Sequence, residues 1–304
     1  VDRDGTGTGP DIELLENIKS LVKIPLVFGG GFASSKNVSE VFKNNINLSG
    51  VSIGWALHYK KMEIYEAKAS LRNLNLPVRN VNNTFEISSI KENFTVSIID
   101  YGMGNIQSLI NAFNLLGIRS ELTTDFEVIK KNKLCVLPGV GAFPEGMKQL
   151  KKYNLIEKLK EYSDSRGCLI GICLGMQLLL SQGTEYEKCD GLDIIQGIIE
   201  KLPKHTKEGD ETLLPHVGWN SIKANKNIQN KLNHEFNNIN QYFVHSYALK
   251  YSQNLDQNIV FTSEFWGYEF ASMVQKYNTV GMQFHPERSG RDGINLLKSC
   301  INSL

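Results

Sequence analysis

The residue best suited to covalent chemistry is Cys173, in the string LIGICLGMQ at positions 169–177. An apolar strand meets a helix here within one residue, and a glycine lies two positions on either side of the cysteine, which is typical of a nucleophile elbow with Cys in place of Ser. The glycines are needed because the nucleophile's backbone is strained and side chains would clash where strand and helix nearly touch. The helix start favours a thiolate, and the amide of Leu174 points to where an oxyanion would form. The alternative is a structural cysteine buried in a glycine-rich turn.

A thiolate nucleophile needs a base that can also protonate the leaving amine. The candidate is His285, which follows a strand in the string MQFHPERS at positions 282–289. Pro286 fixes the turn, and Glu287 can return to hold the imidazole tautomer, as the acid of a triad does. A lone histidine is most often an ordinary core or surface residue, but the His-Pro-Glu order downstream of a cysteine elbow predicts a Cys173–His285–Glu287 triad.

Two further strand ends carry residues that can line the same pocket. Positions 138–141 read PGVG, and two glycines let backbone amides turn toward a ligand, so we expect a second oxyanion donor there. Positions 245–247 read HSY and follow another strand. Each string taken alone is equally compatible with a simple turn or a strand terminus.

The elements that must position these residues alternate between strand and helix from residue 94 onward. The pattern predicts strands at 95–99, 133–137, 168–172, 241–244, 271–275 and 279–283, and helices at 106–116, 150–163, 174–181 and 293–302. Such alternation predicts an α/β fold with an open parallel or mixed sheet and helices on both faces.

The first part of the chain alternates in the same way but is shorter. Helices are predicted at 11–22, 35–45 and 64–74, and strands at 24–28 and 50–53. About three such units are too few to close an eight-stranded barrel, and the turn-rich string at 2–10 reads as if a strand preceded residue 1. We therefore expect a partial barrel over 1–79, a polar linker over 80–93, and the larger domain over 94–304.

Composition narrows the class of protein. The 304 residues carry a formal net charge of +1, which gives no indication of a nucleic-acid or membrane-surface partner. No apolar run approaches the roughly 20 residues that cross a bilayer. The five cysteines are odd in number and lack metal-type pair spacing, so we expect no disulfide framework, no metal site and a reducing cytoplasm.

The motifs, taken in order, resemble those of the class I glutamine amidotransferases, and within them the glutaminase subunits of imidazole glycerol phosphate synthases. Besides the cysteine elbow, the matching strings are DYGMGN at 100–105, PGVG at 138–141, PHVGWN at 215–220, FVHSY at 243–247 and QFHPERS at 283–289. They span residues 94–304 nearly end to end, and as a set they are very specific.

The resemblance implies roles for residues in this domain. Cys173 would attack the side-chain amide of glutamine, giving a thioester and ammonia, while the amides of Val140 and Leu174 form the oxyanion hole. It also implies that the peptide at Val140 reorients before the hole is complete, which links hydrolysis to the partner's ligand. The residues implied to lie beside the bound glutamine are Gly141, Gln177, Ser246 and Tyr247. Asn105 and the string at 216–220 would face a complete cyclase barrel, and no cofactor is implied.

The first segment is similar to the last part of that cyclase barrel. The strings that carry the similarity are VDRDGT at 1–6, GGG at 29–31, VSIGWALHY at 51–59 and LPVR at 76–79. The resemblance implies that backbone amides hold a ligand phosphate, with an aspartate nearby: Gly30, Gly31, Gly54, Trp55 and Asp4. The alternative is that these glycines only serve tight turns. Trp55 departs from the family, which usually has a small residue there.

The resemblance implies an enzyme that is both hydrolase and lyase, supplying ammonia for imidazole glycerol phosphate formation in histidine biosynthesis. The order of the segments suggests a cyclase–glutaminase fusion with its front missing, so a complete barrel is the expected partner. The same glutaminase could instead feed the amidation of a sugar nucleotide in surface-polysaccharide synthesis. Two other classes of protein stay open: a scaffold that has lost turnover, and a cysteine peptidase on a related fold.

Overall fold

The computed structural model describes residues 3–19, 21, 26–44, 48–59, 61–74, 76, 94–206, 209–228, 231–251 and 257–304. The chain divides into two compact units, Val1–Glu86 and Ile87–Leu304, which we call the N-terminal and C-terminal units. The predicted linker at 80–93, and the end of the LPVR string at 77–79, lie outside the described residues.

The N-terminal unit contains alternating helices and parallel strands, as the sequence predicts. In chain order its elements are α1 (Ile12–Lys19), β1 (Leu26–Gly29), α2 (Ser35–Asn44), β2 (Leu48–Ser52), α3 (Trp55–His58) and α4 (Ile64–Arg72). Strands β1 and β2 pair in parallel, with Gly29 opposite Ser52, so the loops that follow both strands leave the same edge of the sheet. Their apolar residues pack with those of the helices in one small core, which includes Leu15, Phe28, Val41 and Leu71.

The C-terminal unit is larger and richer in strands. Its strands are β3 (Thr95–Ile99), β4 (Arg119–Thr123), β5 (Leu134–Leu137), β6 (Cys168–Ile172), β7 (Leu180–Gly183), β8 (Cys189–Asp190), β9 (Ile195–Lys201), β10 (His216–Ala224), β11 (Ile239–His245), β12 (Tyr247–Leu249), β13 (Ile259–Phe265), β14 (Tyr268–Lys276) and β15 (Thr279–Met282). Its helices are α5 (Ile106–Leu115), α6 (Phe126–Lys131), α7 (Phe143–Lys152), α8 (Ile156–Asp164), α9 (Leu174–Leu178), α10 (Lys231–Glu235) and α11 (Gly290–Ser303).

A nine-stranded mixed sheet organises this unit. Its order is β11-β10-β13-β14-β15-β6-β5-β3-β4. The five strands from β15 to β4 run parallel, and the pairs from β15 out to β11 are antiparallel. The prediction of an open mixed sheet is therefore confirmed, and β6 and β15 end side by side where the chemistry is expected.

Helices cover both faces of the parallel strands because successive strand residues point in opposite directions. Ile98 and Val136 pack in one core with apolar residues of α5 and α11. Their neighbours Ile99 and Cys135 pack in a second core with residues of α6, α7, α8 and α9. Both faces of β5 and β6 are buried, which explains why these two strands read as continuous apolar runs rather than alternating ones.

Two predicted helices differ from the structure. The helix predicted at 150–163 is wrong, because α7 ends at Lys152 and α8 starts at Ile156, with Asn154 between them at φ 54°. A left-handed residue interrupts helical hydrogen bonding, and asparagine tolerates it better than most residues. The helix predicted at 174–181 ends at Leu178, and the chain then forms β7 in a second, four-stranded sheet of order β12-β9-β7-β8.

Among the described residues, none of the helices combines the length and the apolar character that a bilayer crossing requires.

Candidate active site

Cys173 lies at the single residue that joins β6 to α9. Its backbone has φ 54° and ψ −111°, a left-handed conformation that a side chain adopts only under strain. Its amide donates to the Met282 carbonyl oxygen on β15 at 2.7 Å, and its own carbonyl oxygen accepts from the Gln177 amide of α9 at 3.1 Å. The cysteine is 5% exposed, so a reactant must enter a nearly closed site to reach its sulfur.

The two flanking glycines are required by close packing. A Cβ at Gly175 would collide with the Leu137 carbonyl oxygen at the end of β5. A Cβ at Gly171 would lie 2.7 Å from the Gly175 carbonyl oxygen and 2.8 Å from a Leu179 methyl group. Strand and helix thus approach so closely that no side chain fits at Gly171 or Gly175. This steric constraint explains why the elbow motif has glycine at both positions.

His285 and Glu287 form a buried hydrogen-bonded pair beyond the end of β15. Nδ1 of His285 lies 2.7 Å from Oε1 of Glu287, and the two side chains are 5% and 3% exposed. The ring is placed by its backbone, since the His285 amide donates to the Tyr242 carbonyl oxygen at 2.9 Å and its carbonyl oxygen accepts from the Ser289 hydroxyl at 2.6 Å. The glutamate therefore fixes Nδ1 and leaves Nε2 for chemistry.

The electrostatics of the pair favour a protonated imidazole. Burial lowers the pKa of His285, but the Cys173 side chain and the Glu287 carboxylate raise it more, and the net result is a pKa of about 10. Nε2 of His285 and Oε2 of Glu287 are buried and have no hydrogen-bond partner among the described residues. An imidazolium beside a cysteine can stabilise a thiolate and then donate its proton to a leaving group.

The two amides predicted to form the oxyanion hole are engaged elsewhere. The Leu174 amide donates to the Gly139 carbonyl oxygen at 3.2 Å, and the Val140 amide donates to the Met103 carbonyl oxygen at 2.5 Å. Neither is therefore free to stabilise an oxyanion in this conformation, and their role stays a prediction that requires both bonds to open.

A buried tyrosine holds the same segment. The Tyr101 hydroxyl donates to the Pro138 carbonyl oxygen at 2.7 Å, and a Cβ at Gly139 would lie 2.7 Å from that hydroxyl. Burial raises the pKa of Tyr101, so the hydroxyl remains a donor. Tyr101 was not singled out from the sequence; a hydroxyl directly after an apolar strand, within the DYGMGN string, was the available signal.

The residues predicted to bind glutamine lie on segments that meet around α9. Nε2 of Gln177 donates to the Tyr247 carbonyl oxygen and to Oε1 of Gln283, each at 3.0 Å. The Ser246 carbonyl oxygen accepts from the Leu202 amide at 2.9 Å. Gly141 has φ 112°, and a Cβ there would lie 3.0 Å from the Met103 side chain. Their contacts with glutamine remain predictions.

Gln283 is a site residue that the sequence reading missed. It is fully buried, and its Nε2 lies 3.9 Å from Sγ of Cys173 while its Oε1 accepts from Gln177. Sγ also lies 3.9 Å from the Val244 carbonyl oxygen. The signal was a polar residue directly after the apolar strand β15, in a string noted only for the histidine that follows.

The predicted partner surface carries exposed apolar side chains. On β10, Val217 is 56% exposed and Trp219 is 59% exposed, and Asn105 is also exposed. The Trp219 ring lies 6.1 Å from the Tyr242 ring, which in turn has the Arg288 guanidinium 5.6 Å above it. Exposed aromatic and arginine side chains are enriched in protein interfaces.

The phosphate-site candidates lie in the N-terminal unit. Gly30 and Gly31 follow β1 with φ 98° and 78°, and a Cβ at Gly31 would collide with the Gly9 carbonyl oxygen. A Cβ at Gly30 would lie 3.6 Å from the backbone of Asp4. Gly54 precedes α3, whose first residue is Trp55.

The Trp55 ring packs beside Gly7 and Tyr59. A Cβ at Gly7 would lie 2.8 Å from the ring, and the Tyr59 ring is 5.4 Å away. Turn geometry is thus established at Gly30 and Gly31, and their phosphate role stays a prediction. Across the described ranges, no group of three or more His, Cys, Asp or Glu side chains is placed to hold a metal ion.

Comparison with known proteins identifies two segments. Residues 97–303 match the family model described as "Glutamine amidotransferase class-I", and residues 1–63 match "Histidine biosynthesis protein". The chain is 38% identical over 205 residues to "Imidazole glycerol phosphate synthase subunit HisH" of Listeria monocytogenes, covering 67% of this chain and 93% of the relative. It is 39% identical over 209 residues to the protein of that name from Lactococcus lactis, covering 69% and 98%.

Solved structures share the fold of the C-terminal unit at low sequence identity. A protein described as "Crystal structure of glutamine amidotransferase" matches with a TM-score of 0.52 at 14% identity, covering 68% of this chain and 97% of that one. "Structure of PurLQS from Thermotoga maritima" matches with a TM-score of 0.53 at 16% identity, covering 70% and 99%.

Proposed function

Because this chain belongs to the class-I glutamine amidotransferase family, we propose that it hydrolyses the side-chain amide of glutamine at Cys173, His285 and Glu287. The observation that carries the proposal is the elbow geometry of Cys173 together with the 2.7 Å bond between His285 and Glu287. A nucleophile, a base and a group that orients the base are the minimum set for acyl transfer through a covalent intermediate. The products are glutamate and ammonia.

The chemistry proceeds in two halves. Sγ of Cys173 attacks the amide carbon, and the carbon–nitrogen bond then breaks as Nε2 of His285 gives its proton to the leaving nitrogen, which departs as ammonia. In the second half, water attacks the thioester while His285 takes its proton, and the cysteine sulfur leaves. The Glu287 carboxylate holds the ring and stabilises its charged form in both halves.

The oxyanion hole regulates this chemistry in our proposal. The amides of Val140 and Leu174 donate to backbone carbonyl oxygens, so the negative oxygen of the intermediate finds both donors occupied. Reorientation of the Gly139–Val140 peptide would withdraw the Gly139 carbonyl from Leu174 and turn Val140 toward the substrate. Loss of oxyanion donors typically costs catalysis about 10²- to 10³-fold each, so a closed hole gives low basal turnover.

The acceptor of the ammonia is a complete cyclase barrel. The relatives are named as subunits of imidazole glycerol phosphate synthase, and the first residues match a histidine-biosynthesis family. We propose that the ammonia forms imidazole glycerol phosphate from a phosphoribulosyl imidazole-carboxamide intermediate, a lyase step that also releases a purine precursor. These names favour the histidine pathway over sugar-nucleotide amidation. We also propose a cytoplasmic location, which the five free cysteines support because thiols stay reduced in that compartment.

The surface that would receive the barrel includes Asn105 and the residues at 216–220. The exposed apolar side chains of Val217 and Trp219 support this location, because a stable interface needs a buried apolar centre. In the N-terminal unit, the amides of Gly30, Gly31, Gly54 and Trp55 would hold a ligand phosphate near Asp4. The left-handed glycines and the shared strand edge support that assignment.

The test is glutamate release by the purified chain, with and without a complete cyclase barrel carrying its nucleotide ligand. Cys173→Ala is the decisive variant, and Cys189→Ala is the matched control, since Cys189 is a free, partly exposed cysteine outside the site. We expect release from the wild type and the control, a strong increase on adding the liganded barrel, and none from Cys173→Ala. If Cys173→Ala releases glutamate as fast as the wild type, the proposal is contradicted. It is also contradicted if no protein releases glutamate under any condition, and the scaffold and peptidase alternatives then have to be considered again.

A further inference from the structure

Two buried imidazoles connect β10 to the segment that follows β11. Nδ1 of His245 lies 2.9 Å from the Tyr247 carbonyl oxygen, and Nε2 of His245 lies 3.1 Å from Nδ1 of His216. Nε2 of His216 lies 3.4 Å from Nδ2 of Asn220, whose amide also donates to the Glu264 carbonyl oxygen at 2.8 Å. The cross-strand register that places His216 opposite His245 creates this chain of contacts.

The direction of every bond in this chain follows from its ends. A carbonyl oxygen only accepts, so Nδ1 of His245 carries the proton and Nε2 of a neutral His245 is the acceptor. Nδ1 of His216 must then donate to it, which leaves Nε2 of His216 to accept from the Asn220 amide. A single tautomer of each ring is therefore compatible with all the hydrogen bonds from the Tyr247 carbonyl to the Asn220 amide.

The surroundings keep both rings neutral and fixed. His216 stacks on Phe243 with ring centroids 5.2 Å apart, and His245 meets Phe270 edge-on at 5.1 Å. Burial lowers the pKa of His216 to about 4 and the pKa of His245 to about 3, and in His245 the neighbouring His216 adds to the effect. At neutral pH both rings are uncharged, so Nε2 of His245 keeps the lone pair that His216 needs.

This chain of hydrogen bonds ends at the backbone of Tyr247, a residue that is expected to lie beside the substrate. The Tyr247 carbonyl oxygen accepts from His245 on one side and from Nε2 of Gln177 on α9 on the other. Gln177 also donates to Gln283, whose amide is 3.9 Å from the sulfur of Cys173. The Tyr247 carbonyl group is therefore held between the nucleophile's helix and the histidine pair.

We infer that His245, oriented by His216, is a positioning residue for glutamine binding, because its Nδ1–H group holds the carbonyl oxygen of Tyr247, a residue expected to lie beside the substrate. The inference rests on the proposed glutaminase function. Among the described residues, neither ring makes a hydrogen bond to Cys173, His285 or Glu287. Their removal should therefore weaken substrate binding and leave the chemical step of bound substrate intact. The competing explanation is that the two rings only fill space in an aromatic core.

Ring volume and the donor group are separated by three variants. His245→Phe keeps a ring among Phe243, Phe270 and His216 but removes both nitrogens, whereas His245→Asn keeps a donor at the δ position and removes the ring. His216→Phe leaves the His245 donor in place and removes only the group that orients it. His234→Phe is the matched control, since His234 is exposed on α10.

The readouts are KM for glutamine and kcat of glutamate release, measured with the activating barrel and its nucleotide ligand. Loss of one neutral hydrogen bond predicts a rise in KM of about three- to tenfold for His245→Phe with kcat changed by less than about twofold. His216→Phe should show a smaller rise of about two- to threefold, since only the alignment of the donor is lost. His245→Asn should restore KM to within about twofold of the wild type, and His234→Phe should leave it unchanged.

An intact nucleophile site is verified by the rate at which iodoacetamide, an amide smaller than glutamine, alkylates Cys173. Alkylation at the wild-type rate combined with a raised KM supports the inference. A folded His245→Phe with unchanged KM overturns it, and so does a His245→Asn as impaired as His245→Phe, because ring volume is then what matters. If His245→Phe does not fold, an unchanged KM in His216→Phe overturns it. A wild type that releases no glutamate defeats the proposed function itself, whereas an active wild type with unchanged variants defeats only the positioning role.

Discussion

Replacing Glu287 by glutamine tests the charge that stabilises the catalytic imidazolium. The Glu287 carboxylate is 2.7 Å from Nδ1 of His285, and both side chains are almost fully buried. Glutamine preserves the shape and an accepting oxygen. Oε2 of Glu287 has no partner among the described residues, so an NH₂ group in its place displaces no existing hydrogen bond. The substitution thus removes the negative charge with little change in packing.

The magnitude follows from the type of bond that is weakened. A hydrogen bond to a charged group contributes about 1.5–3 kcal/mol and one between neutral groups about 0.5–1.5 kcal/mol. Losing the difference of about 1–1.5 kcal/mol should reduce kcat for glutamate release by about 5- to 13-fold. KM should change little, because Glu287 does not reach the substrate. The assay is steady-state glutamate release at saturating glutamine, with Glu157→Gln as the control for the same chemical change on the exposed face of α8.

A pH series gives an independent check on the same charge. The pKa of His285 is raised from 6.5 to about 10, with Cys173 and Glu287 overcoming the opposing effect of burial. A histidine with a raised folded-state pKa stabilises the protein fully below 6.5 and loses that contribution as the pH rises through about 10. In Glu287→Gln this alkaline loss should be smaller, as measured by denaturant unfolding between these pH values. A kcat within a factor of about two of the wild type, or a defect confined to KM, refutes the reasoning.

Three further results are expected from the same structure. Tyr101→Phe removes a donor that holds the closed oxyanion segment, so basal glutamate release should rise about two- to tenfold without the partner; unchanged or lower release contradicts this. Gly175→Ala places a Cβ onto the Leu137 carbonyl oxygen and should lower the free energy of unfolding by more than about 3 kcal/mol. The measurement is urea unfolding, and a wild-type midpoint would contradict this expectation. His216 and His245 have pKa values lowered to about 4 and 3, so the unfolded state binds protons that the folded state does not, and stability should fall as the pH falls from 6.5 toward 4. A double His216→Phe/His245→Phe variant should show a flatter acid limb in the same unfolding series, and an unchanged slope would count against it.

The sequence predicted the parts of the site that are local in the chain. The glycines around Cys173 are two residues from the nucleophile, and the backbone clash that they avoid is between β6, α9 and the end of β5. His285 and Glu287 are two residues apart, so the turn at Pro286 is enough to bring them within hydrogen-bonding distance. Short, mainly apolar segments likewise predicted β3 and β6 with correct bounds.

Features that depend on strand register were not predictable in this way. His216 and His245 are 29 residues apart, and only the pairing of β10 with β11 places their rings in contact. Gln283 read as the last residue of a strand, and its contact with Cys173 arises from the parallel pairing of β15 with β6. The break at Asn154 is different, since an asparagine inside a helical pattern was a visible but weak local signal.

The His285–Glu287 pair is already assembled, whereas the proposed oxyanion donors are bonded elsewhere. This difference suggests that the oxyanion donors are where a partner would control glutamine hydrolysis. The His285–Glu287 pair is assembled by side-chain contacts in a buried position, so it needs no rearrangement before reaction. The oxyanion donors are backbone amides, and both are bonded to carbonyl oxygens of segments 100–105 and 138–141. Turning one peptide exchanges those bonds for bonds to the intermediate at small energetic cost, whereas unmaking a buried charged pair would cost several kcal/mol. A partner that touches Asn105, at the end of the first of these segments, would therefore have a short physical route to the proposed oxyanion donors without disturbing the nucleophile or its base.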